Sequence, residues 1–164
     1  MNYWVYRAPS SVRDLFLDYI ERDKGASIKE DHSMTQISKS NWNSDTKDPT
    51  FARLFQKYYF EGYAHFLYEK VKRDFDWTNM WYQVYEKNSS DCHDFHNHFP
   101  GISLANVFYL ELKSRELVTQ FKDMSPPDVN EGDTLIFDPT LMHRSPPNNT
   151  SDRKVVISFN VNFL

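Results

Sequence analysis

The sequence predicts a mainly β fold, a sandwich or barrel whose one face is covered by helices from the N-terminal half. Three observations lead there. Short apolar runs recur through the second half, at Trp81–Tyr85, Leu104–Leu112, Leu117–Phe121, Thr134–Phe137 and Val155–Phe159. Breakers separate them: Ser125-Pro126-Pro127, Glu131-Gly132-Asp133 and Pro146-Pro147-Asn148-Asn149. In the first half, by contrast, the apolar residues fall at helical spacing.

The elements follow in order. Ser11 with Asp14 resembles a capping box, and Val12, Leu15, Phe16, Tyr19 and Ile20 then form one helix face, with Gly25 as the stop. Residues 26–47 are polar and read as irregular, with one short strand around Met34–Ile37 and a possible role as a lid. Asp48-Pro49 reads as an N-cap followed by proline at the first helical position. Phe51, Leu54, Phe55, Tyr58 and Tyr59 continue that helix, and Tyr63, Phe66 and Leu67 carry it toward Val71. So aromatic a helix packs on a sheet, because burial alone accounts for its rings. The five runs of the second half are the strands of that sheet, with a further short strand at Met142–Arg144.

Composition bounds the function. A chain of 164 residues is one domain's worth, 1–164, with 1–77 mostly helical support and 78–164 the β core. Hydrophobic residues at 40% and aromatics at 16% exclude a disordered chain. The formal net charge of -4 offers no basic surface, so no nucleic-acid partner is expected. No apolar stretch reaches the eighteen or so residues of a membrane span, and Met1–Arg7 lacks the order of a secretory signal. The single Cys92 fits a reducing, cytoplasmic setting. Oligomeric state is left open.

Histidines carry the chemistry. His32 lies in the polar segment and His65 on the long helix, and both read as structural. The run His93-Asp94-Phe95-His96-Asn97-His98 is different. On an extended strand residues i and i+2 face the same side, so His96 and His98 form a natural pair of metal ligands. Read alone, the segment also fits a polar loop with incidental histidines. The letters His-Asn-His match a nuclease motif too, but that motif spreads its residues through a hairpin and a helix. Downstream, a strand, a turn, His143 and then Arg153 opening the last strand make the coincidence harder to dismiss.

At this point the sequence resembles the Fe(II)- and 2-oxoglutarate-dependent oxygenases, particularly the small prolyl-hydroxylase-like branch of bacteria and phages. The resemblance runs from Trp81 to Asn160. It is carried by Trp81-Tyr82-Gln83-Val84-Tyr85, His96-Asn97-His98, Val107-Phe108-Tyr109-Leu110, Glu131 to Phe137, His143-Arg144, Asn148, Arg153 and Ile157-Ser158-Phe159-Asn160. It implies a double-stranded β-helix of the jelly-roll or cupin-like kind. It also implies Fe(II) held by His96, His98 and His143, with 2-oxoglutarate and dioxygen as cosubstrates. Arg153 is implied to hold the distal carboxylate of 2-oxoglutarate, with Tyr85 hydrogen-bonding the same group. Position 98 departs from the family pattern, which has a carboxylate there; Asp94 is the alternative second ligand and His93 a spare. Arg144 is read as a surface or pocket-mouth residue, and Asn160 as structural or pocket-lining.

The activity so implied is hydroxylation of a peptidyl-proline, another side chain or a small metabolite, with 2-oxoglutarate decarboxylated to succinate. A cupin-type dioxygenase would use the same three histidines without 2-oxoglutarate. A non-enzymatic β-sandwich binding module would use them structurally.

Overall fold

In the computed structural model, which describes residues 3–42 and 49–164, two antiparallel sheets face each other across a cavity. The chain opens with β1 (Tyr3–Arg7) and α1 (Ser10–Arg22), followed by the hairpin β2 (Ala26–Glu30) and β3 (Thr35–Ser40). Helix α2 (Pro49–Phe55) runs through one wider π-type turn, Gln56–Phe60, into α3 (Glu61–Val71). The long β4 (Phe75–Tyr85), the short β5 (His93–His96) and β6 (Leu104–Leu112) come next. The chain ends with β7 (Gln120–Phe121), β8 (Asp133–Phe137), β9 (His143–Ser145) and β10 (Lys154–Phe163). The larger sheet is ordered β1-β8-β6-β10-β4-β3-β2 and the smaller β5-β9-β7. No helix among the described residues is long and apolar enough to cross a membrane.

Strand β10, central in the large sheet, shows how the layers form. Its side chains alternate in direction. Val155, Ile157, Phe159 and Val161 join the core beneath the helices. Lys154, Val156 and Ser158 face the cavity between the sheets. The helix-side core is dominated by rings: Phe16 of α1, Phe51 and Phe55 of α2 and Tyr59 of the π-type turn are all at most 1% exposed. Phe55 meets Phe159 edge-on at 5.0 Å, and Tyr59 stacks on Phe108 at 4.7 Å. Each such ring contributes about 1.5–3 kcal/mol by burial. The polar ends of the tyrosines are satisfied, Tyr59 by Thr134 Oγ1 at 2.5 Å and Tyr63, which donates to Asn106 Oδ1 at 2.6 Å.

The N-terminal part departs from the sequence reading in three places. Residues 26–40 form a hairpin rather than irregular chain: Ile28 pairs with Ile37 and Glu30 with Thr35, and β3 then pairs with β4 through Lys39–Val84 and Ser40–Gln83. Propensity misses it because the long β4 supplies the partner edge. Strand β1, unexpected in a helical half, is likewise recruited by β8, with Val5 opposite Leu135. Helix α1 begins at Ser10 after Pro9 with no side-chain cap, so the Ser11–Asp14 box is not formed. The expected Asp48 N-cap, and the end of the 26–47 segment from 43 on, lie outside the described residues. Helix α1 ends at Arg22 with Asp23 extended, two residues ahead of the expected stop Gly25, which has φ 56° and where a Cβ would come within 2.5 Å of the Tyr82 hydroxyl.

Candidate metal centre and its cavity

Pairing of β5 with β9 sets His96 directly opposite His143. The chain then leaves β5, and the His98 amide donates to Pro139 O at 2.9 Å, which returns the third imidazole to the same place. Ring centroids lie 4.3 Å apart for His96–His143, 5.3 Å for His96–His98 and 5.2 Å for His98–His143. One nitrogen from each ring falls within 4.8 Å of the others.

The second nitrogen of each ring decides what that group can hold. His96 Nδ1 donates to Asp94 O at 2.6 Å, and His143 Nδ1 to Leu141 O at 2.9 Å. A carbonyl oxygen only accepts, so both Nδ1 atoms carry the proton and both Nε2 atoms keep a lone pair. His98 Nδ1 donates to Asn160 Oδ1 at 3.0 Å, and Asn160 Nδ2 donates onward to Asn79 Oδ1 at 2.8 Å, which gives His98 the same tautomer. Burial, opposing charge in a poorly solvated site, holds His98 down to about 4 and His143 down to about 3, and lowers His96 as well. The three rings are neutral at physiological pH. They offer three convergent nitrogen lone pairs, a donor set that fits a first-row divalent metal on one open face.

Other candidates fall outside the triad. Asp94 accepts from the Phe95 amide at 2.8 Å, and its carboxylate is not among the converging ligand atoms. His93 stacks on His96 at 3.9 Å rather than joining the group. Arg144 lines the cavity, donates to Gln120 Oε1 at 2.9 Å and lies over the Phe95 ring.

The cavity lies between the two sheets, with the histidines along one side. Its histidine end is capped by Phe137, whose ring meets His143 edge-on at 4.7 Å. Farther in, Val156, Ala105 and Tyr85 form a dry wall. Tyr85 lines this space; its hydroxyl bonds Ser145 and burial raises its pKa.

The expectation for Arg153 is corrected. It is turned to the other side of the sheet, where its guanidinium makes two bonds to Glu111, at 3.0 and 2.7 Å, and one to Glu21 of α1 at 2.6 Å. The reason is strand parity: residue 153 shares its direction with Val155 and Ile157. The next residue, which the sequence reading passed over, takes the inward position. Lys154 is 1% exposed. Its Nζ donates to Ser145 Oγ at 2.8 Å and faces the rings of Tyr85 and Tyr109 at 5.1 and 5.8 Å. No carboxylate pairs with it among the described residues, and burial alone pulls its pKa down to about 7.

No protein-family model and no curated protein sequence matches the chain. Solved structures do match its fold. The viral collagen prolyl hydroxylase vCPH from Paramecium bursaria Chlorella virus 1, in its 2OG complex, is 12% identical with a TM-score of 0.66, over 98% of this chain and 95% of that one. HygX from Streptomyces hygroscopicus, with nickel and 2-oxoglutarate bound, is 13% identical with a TM-score of 0.67, over 98% and 82%. The non-heme alpha-ketoglutarate-dependent epimerase SnoN from nogalamycin biosynthesis is 12% identical with a TM-score of 0.74, over 98% and 77%. At such identities the likeness is one of fold, and the fold of this chain is the double-stranded β-helix on which these 2-oxoglutarate-dependent enzymes are built.

Proposed function

We propose that this protein is an Fe(II)- and 2-oxoglutarate-dependent oxygenase, with a hydroxylase reaction on a small-molecule or peptide substrate. The observation that carries the reading is Lys154. A buried ammonium without a counter-charge is costly, and proteins keep one where a ligand supplies the anion. Here it lies at one end of a cavity whose other end is three convergent imidazoles. A dicarboxylate with a keto group next to one carboxylate matches both ends. A three-histidine dioxygenase that takes no such acid has no use for a lysine in this position, and neither has a binding module.

In this reading His96, His98 and His143 hold the metal through Nε2. The chemistry a ferrous ion supplies in such a setting is activation of dioxygen, coupled to decarboxylation of 2-oxoglutarate to succinate and oxidation of a substrate C–H bond. The protein's part is placement. Lys154 pairs with the distal carboxylate, and Ser145 holds the ammonium in line through its hydroxyl. Tyr85 shares that hydroxyl and closes the cavity beside it. Phe137, Val156 and Ala105 keep water from the bound acid, which strengthens its pairing with Lys154.

The experiment is anaerobic titration of the Fe(II)-loaded protein with 2-oxoglutarate. The expected result is a weak visible charge-transfer band that saturates at one equivalent, followed by succinate formation when air is admitted. Iron binding without the band would turn the assignment toward the three-histidine dioxygenase.

A further inference from the structure

Past the three histidines the cavity continues into a wider groove of about 360 Å³. Trp81, Gln83, His96 and His98 border both spaces, so the two are continuous through the candidate metal centre. Their charges differ. The inner cavity is lined by two cations, Lys154 and Arg144, and by no carboxylate. The outer groove is bordered by one carboxylate, Glu30, and by no lysine or arginine.

Glu30 ends β2 at the turn of the hairpin. One of its oxygens accepts from Ser33 Oγ at 2.9 Å, and it makes no ion pair among the described residues. Glu30 and His96 both border the groove. Across the groove Trp42, 51% exposed, meets Trp81 edge-on at a centroid distance of 4.4 Å. The half-exposed indole of Trp42 offers apolar ring surface to a ligand in this groove. Indole rings attract an organic cation and the hydrocarbon next to it, and a free carboxylate completes its pairing. A phosphate or carboxylate substrate would meet Glu30 with no cation to offset it.

We propose that the outer groove takes an organic cation, an amine- or guanidinium-bearing side chain or small molecule, with its hydrocarbon against Trp42 and Trp81 and its charge held by Glu30. This deepens the oxygenase reading, and its reaction rests on that reading; the binding preference does not.

The test uses three matched probes, 4-phenylbutylamine, 4-phenylbutanol and 4-phenylbutyrate, titrated by calorimetry into the anaerobic protein carrying Fe(II) and saturating 2-oxoglutarate. The amine is expected to bind about fivefold to tenfold more tightly than either counterpart. In Glu30→Gln, which keeps shape and removes charge, the three affinities converge to within about twofold while 2-oxoglutarate affinity is unchanged. An amine that binds no better than the anion, fails to bind at all, or keeps its advantage in Glu30→Gln overturns the proposal. Failure of the oxygenase reading looks different: 2-oxoglutarate does not bind to either protein. The three probes are then compared with Fe(II) alone, and the same outcomes decide.

Discussion

Asn160 accepts the Nδ1 proton of His98 at 3.0 Å from a strand that runs in the opposite sheet. His98 lies beyond the end of β5, without a ladder to hold it, so this bond and the backbone tether to Pro139 fix its ring. Asn160 is itself fixed by its bond to Asn79 on β4. Partners of this kind select the tautomer and aim the ring, and their loss costs about 10- to 100-fold in metal affinity. Asn160→Ala is therefore expected to weaken Fe(II) binding by that amount with little change in melting temperature of the metal-free protein. Competition against a chelator of known affinity measures it. An unchanged affinity would mean that His98 is not a ligand.

The ligand assignment has a sharper check in Asp94. Its carboxylate is engaged by the Phe95 amide and stands outside the converging group, whereas His96 and His143 face each other across a strand pair. His96→Ala and His143→Ala are expected to abolish stoichiometric iron, and Asp94→Asn to retain it. Metal analysis of these three purified variants and of His98→Ala decides. Loss of iron in Asp94→Asn with retention in His98→Ala would reassign the second ligand to the carboxylate.

Arg153 and Lys154 separate structure from cosubstrate binding. Lys154→Met replaces a buried ammonium with a side chain of similar length and should remove saturable 2-oxoglutarate binding. Metal-free stability should hold or rise, since a desolvated charge is gone. Arg153→Met should leave 2-oxoglutarate affinity within about twofold. It should cost about 1–2 kcal/mol of stability, because the partly buried, bidentate pairing with Glu111 is lost. Titration of the visible band and denaturant unfolding read the two effects independently. The reverse pattern would restore Arg153 as the anchor.

Much of this site was legible in the sequence. The spacing of His96 and His98 and the separate His143 pointed to metal ligands, but only the family resemblance joined the three, and the strand expected to pair His96 with His98 ends at His96. Strands β6, β8 and β9 were read nearly to their ends, whereas β4 starts six residues before the expected Trp81. What escaped was parity. Val155, Ile157 and Phe159 form an unbroken apolar face, so the polar Ser158 and an even-numbered Lys154 belong to the other. Counting back two by two from Ser158 reaches Lys154 rather than Arg153, and the sequence held that signal. The hairpin β2–β3 is a different case. The short strand expected around Met34–Ile37 overlaps β3, but β2 was not foreseen: its Lys29 and Glu30, opposite Gln36 and Thr35, carry little β preference. Only the free edge of β4, distant in sequence, makes them a strand pair. Glu30 and Trp42 owe their place beside the histidines to that pairing, so no reading of local pattern brings them there.

The pH dependence follows from the direction of each shift. Lys154 has its pKa lowered to about 7 in the fold, from 10.5. The unfolded chain therefore binds more protons between these values, and the metal-free protein gains stability as pH rises from about 7 toward 10.5. The histidines act the same way lower down: His93 and His143 are held to about 3 and His98 to about 4, against 6.5, so stability falls as pH drops below 6.5. Binding of 2-oxoglutarate requires the protonated lysine. Its affinity should thus decline above pH 7, where free Lys154 is losing its proton and binding must restore it. In Lys154→Arg the guanidinium keeps its charge across this range, so binding, if weakened by the larger head group, should be flat with pH. Calorimetry of the Fe(II) protein from pH 6.5 to 9.5, in buffers of differing ionisation enthalpy, measures both the affinity and the proton taken up. A decline that persists unchanged in Lys154→Arg would place the titrating group elsewhere, and with it the anion's partner.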